Sequence, residues 1–146
     1  MFIGSYKAKV DDRGRLIFPS AFKSVLGEDA DLRFVVKKSL FAPCLEMYAF
    51  RQWEAESEEV RKKLNFFNKE HALLWREYMR GTAIVEPDGK LGRLTIPKEL
   101  MALAGIGKDV IFAGNNHIIE IWSKDAYESA QLSSGDFVAL AEKILG

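Results

Sequence analysis

One short stretch is written twice in this chain, and that duplication limits the available folds more than any other feature. Asp11-Asp12-Arg13-Gly14-Arg15-Leu16-Ile17-Phe18-Pro19 is echoed by Asp88-Gly89-Lys90-Leu91-Gly92-Arg93-Leu94-Thr95-Ile96-Pro97. Both copies end in Gly-Arg-Leu, an unrestricted residue, an apolar residue and Pro. Pro19 and Pro97 lie 78 positions apart, as do Gly14/Gly92, Arg15/Arg93, Leu16/Leu94, Gly27/Gly105, Asp31/Asp109 and Phe34/Phe112. Upstream the offset is 77 (Gly4/Gly81, Asp11/Asp88), so the second copy carries one more residue in its turn. Downstream it is 74, pairing Glu46/Glu120, Tyr48/Trp122 and Trp53/Tyr127. One unit of roughly fifty residues is used twice, with a separate segment between.

Each copy predicts the same order of elements. Ser5 to Val10 alternates polar and apolar residues, the pattern of a half-buried strand with a cationic outer face. Asp11 to Gly14 reads as a turn, since Asp can bond backbone two residues on and Gly supplies a positive φ. Arg15 to Phe18 is then the return strand of a hairpin tipped by Asp-Asp-Arg-Gly-Arg. Pro19 stops the ladder and opens a helix, which Gly27 caps. Strands follow at Asp31–Lys37 and Leu45–Tyr48. The second unit repeats this with Ala83–Glu86, the Asp88–Gly92 turn, Arg93–Ile96, a Lys98–Ala104 helix capped by Gly105, and strands at Val110–Ala113 and Ile118–Trp122. Between the units, residues 51–80 have helical spacing (Trp53, Val60, Leu64; then Phe67, Leu74, Trp75, Tyr78), with Asn68 as an N-cap between two helices. Asp136 to Leu145 is a further helix on a loosely attached tail. The expected division is a first unit over 4–53, a helical connector over 54–80, a second unit over 81–127 and a C-terminal helical tail over 128–146.

Composition excludes more than it selects. The chain has 146 residues, 48% hydrophobic, enough to bury a real core as one compact domain or two small halves. Its longest apolar runs are too short for a transmembrane helix, and the Met1-Phe2-Ile3 opening lacks the apolar stretch of a signal peptide. Cys44 is the only cysteine, which excludes an internal disulfide and fits a reducing cytoplasm. Lys and Arg number 21 and Asp and Glu 21, for a formal charge of zero. A neutral chain holds nucleic acid through a focused basic face or through several copies acting together.

A strand–turn–strand–helix unit made twice, each too small to bury its own sheet face, favours two halves intertwined into one closed barrel without free edges. The fold class is α+β, mainly β. Here the residues match a family. The Met1-Phe2-x-Gly4 opening, Asp11-x-x-Gly14-Arg15-Leu16, Pro43-Cys44-Leu45, Trp53-Glu54 and Glu120-x-Trp122 resemble MraZ, a family of bacterial transcriptional regulators with two tandem AbrB-like (SpoVT-AbrB) units. The resemblance covers nearly the whole chain. It implies a pseudo-symmetric swapped-hairpin barrel and a ring-like homo-oligomer, with an octamer as the candidate size. It also implies repression through repeated sites on double-stranded DNA upstream of the division and cell-wall gene cluster, in the cytoplasm and at the nucleoid. The family's Asp-x-x-x-Arg motif falls on Asp11 and Arg15. Asp88 to Arg93 spans one residue more, so Arg15 inherits the role more securely than Arg93.

A two-stranded ribbon fits the major groove, and a guanidinium can bond guanine O6 and N7 together. Arg15 and Arg93 are therefore the candidate base readers, with Asp11 and Asp88 orienting them. Arg13, Lys7, Lys9 and Lys90, on or beside the same hairpins, suit phosphate contacts. The competing reading is that Asp11 and Asp88 form salt bridges that merely pin the turns, and both can hold. Phe66 and Trp75 are core, or, if they exceed what one barrel covers, a subunit interface. Asp11-Asp12 lacks a third metal ligand nearby. Cys44 with His71 or His117 has no nucleophile signature around it, and a small buried thiol is the simpler reading. No catalysis, cofactor, metal, membrane or small-molecule substrate is expected. The runner-up function is an antitoxin-like or assembly module that mainly binds a protein partner.

Overall fold

Proline sets where the short helices begin. Pro19 (φ −58°) and Pro97 (φ −52°) sit immediately before α1 (Ser20–Leu26) and α4 (Lys98–Leu103), where a missing N–H costs nothing and a fixed φ suits helix entry. The computed structural model describes residues 1–28 and 30–146. The first half runs β1 (Ser5–Lys9), β2 (Arg15–Ile17), α1, β3 (Phe34–Lys38), β4 (Leu45–Ala49), α2 (Phe50–Lys62) and α3 (Lys69–Met79). The second runs β5 (Ala83–Val85), β6 (Arg93–Thr95), α4, β7 (Asp109–Asn115), β8 (Ile118–Ser123), α5 (Lys124–Ser129) and α6 (Ser134–Leu145). The order of element types is the same in both halves, trailing helix pair included.

Side-chain caps explain the later helices. Asn68 accepts from the backbone N–H groups of Glu70 and His71 to start α3, as expected from the sequence. Ser133 does the same for α6 through Asp136, and Ser123 starts α5 through Ala126. Helix α5 is absent from the sequence expectations. Its six residues carry too little apolar periodicity to stand out, although Ser123 is a readable cap.

The strands do not pair as the sequence suggested. β1 and β2 are not a ladder: β1 pairs antiparallel with β7, and β2 with β6. Likewise β5 pairs with β3, while β3–β4 and β7–β8 are hairpins joined through β4–β8. The result is a six-stranded sheet, β1-β7-β8-β4-β3-β5, and a separate two-stranded ribbon, β2–β6. The physical reason lies in Leu16 and Leu94, which face each other across the ribbon and are fully buried. An isolated two-stranded hairpin is marginal; pairing across the repeat lets both leucines enter one core, at about 1.5–3 kcal/mol each. Hydrogen bonding does not close the expected barrel, since the large sheet ends on β1 and β5 and the ribbon forms its own ladder.

The core lies between the inner sheet face and the ribbon with α1 and α4. Phe34, Val36, Leu45, Met47, Val110, Phe112, Ile119 and Ile121 from the sheet meet Leu16, Leu94, Phe22 and Leu100. Phe18 packs against Phe22, Phe34 and Phe112 with ring centroids 6.2, 5.3 and 6.3 Å apart. Its counterpart in the second half is the smaller Ile96, also buried. On the outer face, Cys44, Ile111, Ala113 and Trp122 form a second cluster covered by Ala126 and Tyr127 of α5. Burial pushes the Cys44 thiol up to about 12, which makes it inert.

The N-terminus is stitched along β7. The N–H of Phe2 donates to Asn116 O at 2.6 Å, and that of Gly114 to Gly4 O at 2.8 Å. A Cβ on Gly114 would lie 2.6 Å from the backbone of both Phe2 and Ile3, so this contact requires glycine. No helix among the described residues is long and apolar enough to cross a membrane.

Candidate nucleic-acid interface

The alternation that buries Leu16 and Leu94 decides what the ribbon shows to solvent. In β2, Arg15 and Ile17 flank Leu16; in β6, Arg93 and Thr95 flank Leu94. The register places Arg15 opposite Thr95 and Ile17 opposite Arg93. All four side chains therefore share the outward face. The two arginines stand on a diagonal, about 7–8 Å apart by ladder geometry. Two separate arginine-tipped hairpins were expected; one ribbon carrying both arginines is found. Its own backbone ladder is extended by Phe18 N–H donating to Gly92 O at 2.8 Å.

Antiparallel pairing sends the loops that precede β2 and β6 to opposite ends of the ribbon. The first loop is organised by one carboxylate. Asp11 Oδ1 accepts the backbone N–H groups of Arg13 (2.9 Å) and Arg15 (2.8 Å), and Oδ2 accepts Arg15 Nε–H (2.9 Å). Asp11 N–H donates back to Arg15 O, and Gly14, at φ +75°, closes the turn by donating to Asp11 O. Of the Arg15 guanidinium, only Nε is engaged among the described residues. Among the described residues its two terminal amino groups have no hydrogen-bond acceptor, so the Asp11 grip leaves them unpaired. The backbone N–H of Arg15 is the largest influence holding the Asp11 carboxyl below its ordinary value, with the Arg13 N–H and the Arg15 side chain acting the same way.

The second loop is held differently. Asp88 and Arg93 exchange both backbone hydrogen bonds, at 2.9 and 2.8 Å, around Gly89-Lys90-Leu91-Gly92. Gly89 (φ +74°) and Gly92 (φ +66°) supply the bends. Among the described residues the Asp88 carboxylate makes no hydrogen bond or ion pair with Arg93. The Asp–Arg side-chain contact considered at both positions is thus present at Asp11 and replaced by main-chain pairing at Asp88.

The remaining cations divide. Arg13 and Lys90 are exposed on the loops at the two ends of the ribbon. Lys7 and Lys9 are not with them. They alternate with Ala8 and stand opposite Ile111 and Asp109, on the sheet face away from the core that the ribbon packs against. Lys9 Nζ lies 4.0 Å from Asp109 Oδ1. Sequence adjacency to the Asp11 turn suggested one cluster; the strand's alternation separates it.

Phe66 and Trp75 touch edge to face at 6.0 Å beside the α2–α3 connection. α3 and α6 contain no buried residue, and Leu73, Leu74, Phe137, Leu140 and Ile144 are exposed on them. The periodicity of both helices is plain in the sequence, but how bare they stand is not. The histidines are occupied structurally: His71 Nδ1 accepts Asn65 N–H at 2.9 Å, and His117 Nε2 lies 2.9 Å from Glu56 Oε1. Among the described residues no three His, Cys, Asp or Glu side chains gather as a metal site. Ile17 and Thr95 are absent from the sequence-based candidates, although strict alternation along Arg-Leu-Ile and Arg-Leu-Thr would have placed them beside the arginines.

These features define a class: a tandem-repeat α+β protein whose two halves pair strands across the repeat and share one ribbon. Comparison with known proteins makes the assignment specific. The chain belongs to the MraZ family, described as "MraZ protein, putative antitoxin-like", which matches it over residues 1–77 and again over 78–143. It is similar to the transcriptional regulator MraZ of Flavobacterium psychrophilum, 41% identical over 99% of this chain and 91% of that one. The protein of the same name from Christiangramia forsetii is 41% identical, covering 99% and 92%. That of Bacteroides fragilis is 34% identical, covering 99% and 90%.

Proposed function

We propose that this chain is a sequence-specific DNA-binding transcriptional regulator, acting as a repressor, and that the β2–β6 ribbon is its reading head. The observation that carries the proposal is the shared outward face of Arg15 and Arg93 on a ribbon anchored by two fully buried leucines. Three paired residues span about 10 Å, against a major groove about 12 Å wide. Arg15 and Arg93 read guanine, Asp11 aims Arg15, and Asp88 fixes the main chain under Arg93. Arg13 and Lys90 take phosphates at either end. Lys7 and Lys9 add only to the general field. Strand pairing across the repeat supports an AbrB-like swapped arrangement of the two units. The relatives' name, transcriptional regulator, agrees with this reading.

With zero net charge, a single ribbon gains affinity when several copies act together. We propose a ring-like homo-oligomer whose subunits join through the bare apolar faces of α3 and α6, with Phe66 and Trp75 at the contact and repeated operator sites engaged by several ribbons. A 12-residue helix such as α6 is marginal in water without a packing partner. Fluorescence anisotropy on the native upstream DNA, titrated against salt, tests the function: a steep negative slope of log affinity on log salt is expected. Salt-independent or absent binding would favour the protein-partner module instead. Light scattering tests the assembly, with Phe66→Ser and Trp75→Ser expected to lower the subunit number and the affinity for multi-repeat DNA together.

A further inference from the structure

Pseudo-symmetry makes the outward face of the ribbon nearly, but not fully, self-similar. Arg15 and Arg93 are equivalent positions of the repeat and are chemically identical. Ile17 and Thr95 are also equivalent, 78 positions apart, and are not identical. Each stands directly across the ladder from an arginine: Ile17 from Arg93, Thr95 from Arg15. Ile17 is 51% exposed. A large β-branched apolar side chain left half in water beside two cations gains little from the fold, because Leu16, not Ile17, fills the core.

Building on the DNA-binding reading above, we propose that Ile17 is a specificity residue that recognises the C5-methyl group of a thymine, and that the Ile17/Thr95 difference fixes the direction in which the ribbon lies on the duplex. Only thymine offers a methyl group in the major groove, and apolar side chains contact it directly. The arginine diagonal alone is two-fold symmetric and would accept a site in either direction. Replacing one of two equivalent β-branched residues by a hydroxyl-bearing one breaks that symmetry. Thr can bond to several bases, so its end of the ribbon tolerates more sequences. The favoured element is a short, non-palindromic one in which a guanine and a neighbouring thymine are read at the Arg93/Ile17 end.

Selection from a random duplex library by the wild-type full-length protein supplies the binding sequence. Each thymine of the selected sequence is then replaced singly by deoxyuridine, which lacks only the methyl group. The single replacement at the contacted thymine should weaken wild-type binding about four-fold, the effect of withdrawing one buried methyl group. Ile17→Ala should be indifferent to that replacement and Ile17→Val should retain the sensitivity, while melting temperatures of both variants stay near wild type because the site is exposed. Ile17→Thr, which makes the ribbon face symmetric, should select a more palindromic sequence. Indifference of the wild-type protein to every deoxyuridine, or undiminished sensitivity in Ile17→Ala, overturns the inference. Failure of the wild-type protein to enrich any sequence would instead overturn the DNA-binding reading itself.

Discussion

The loops that lead into β2 and β6 solve the same problem by different means. Both must place an arginine at the start of a three-residue strand whose next residue is buried. The first uses a side chain: three donors converge on the Asp11 carboxylate, one of them from the Arg15 guanidinium. The second uses the main chain, through the reciprocal Asp88–Arg93 pair and two glycines at positive φ. One extra residue in the second loop separates the two solutions. A charge-assisted grip aims the side chain as well as the strand, whereas backbone pairing aims only the strand. The same motif thus yields one arginine gripped by a carboxylate and one that, among the described residues, has no side-chain hydrogen bond.

Breaking the first member should have the largest effect. Arg15→Ala is expected to abolish specific binding with fold and assembly intact, since a bidentate base contact is worth about 1–3 kcal/mol and recurs in every subunit. Anisotropy beside a thermal melt checks this; normal binding would mean that the salt bridge with Asp11 only pins the turn. Arg93→Ala should weaken binding by a smaller factor, because a side chain with no carboxylate to pre-orient it pays more ordering entropy on contact. Equal losses in the two variants would erase the comparison.

The acidic partners sharpen it further. Asp11→Ala should cost affinity about three- to ten-fold, the net worth of one ordinary hydrogen bond at a partly exposed site, while Asp88→Ala should leave affinity nearly unchanged. The pH response follows from the depressed Asp11 carboxyl. A lowered folded value means that its contribution is complete above the ordinary carboxylate range, near 4. It is lost as pH falls through the lowered folded value. The Arg15 Nε–H resonance should therefore stay protected through mild acid and broaden only below the ordinary carboxylate range; in Asp11→Asn it should show no such titration. The smallest effect is expected from Lys7→Ala with Lys9→Ala, a slight flattening of the salt slope without any change in base preference. A loss as large as that of Arg93→Ala would show that the outer sheet face also meets DNA.

Sequence alone determined the repeat, the sites of the turns, the proline-led helices, the Asn68 cap and the arginines worth examining. Each depends on local chemistry: a φ that only glycine adopts readily, a ring that lacks an N–H, an amide that caps a helix, the period of an alternating strand. Tertiary structure decided which strands meet. Nothing in residues 5–18 distinguishes a local hairpin from strands handed to the other half, because both satisfy the same alternation and the same turn. The choice was made by burial, as Leu16 and Leu94 could leave water together only across the repeat. That pairing carried Arg15 and Arg93 onto one face, while alternation along β1 turned Lys7 and Lys9 to the outer face of the sheet. Which residues are neighbours on a surface is a property of how strands are shared, and strand sharing is set by the common core.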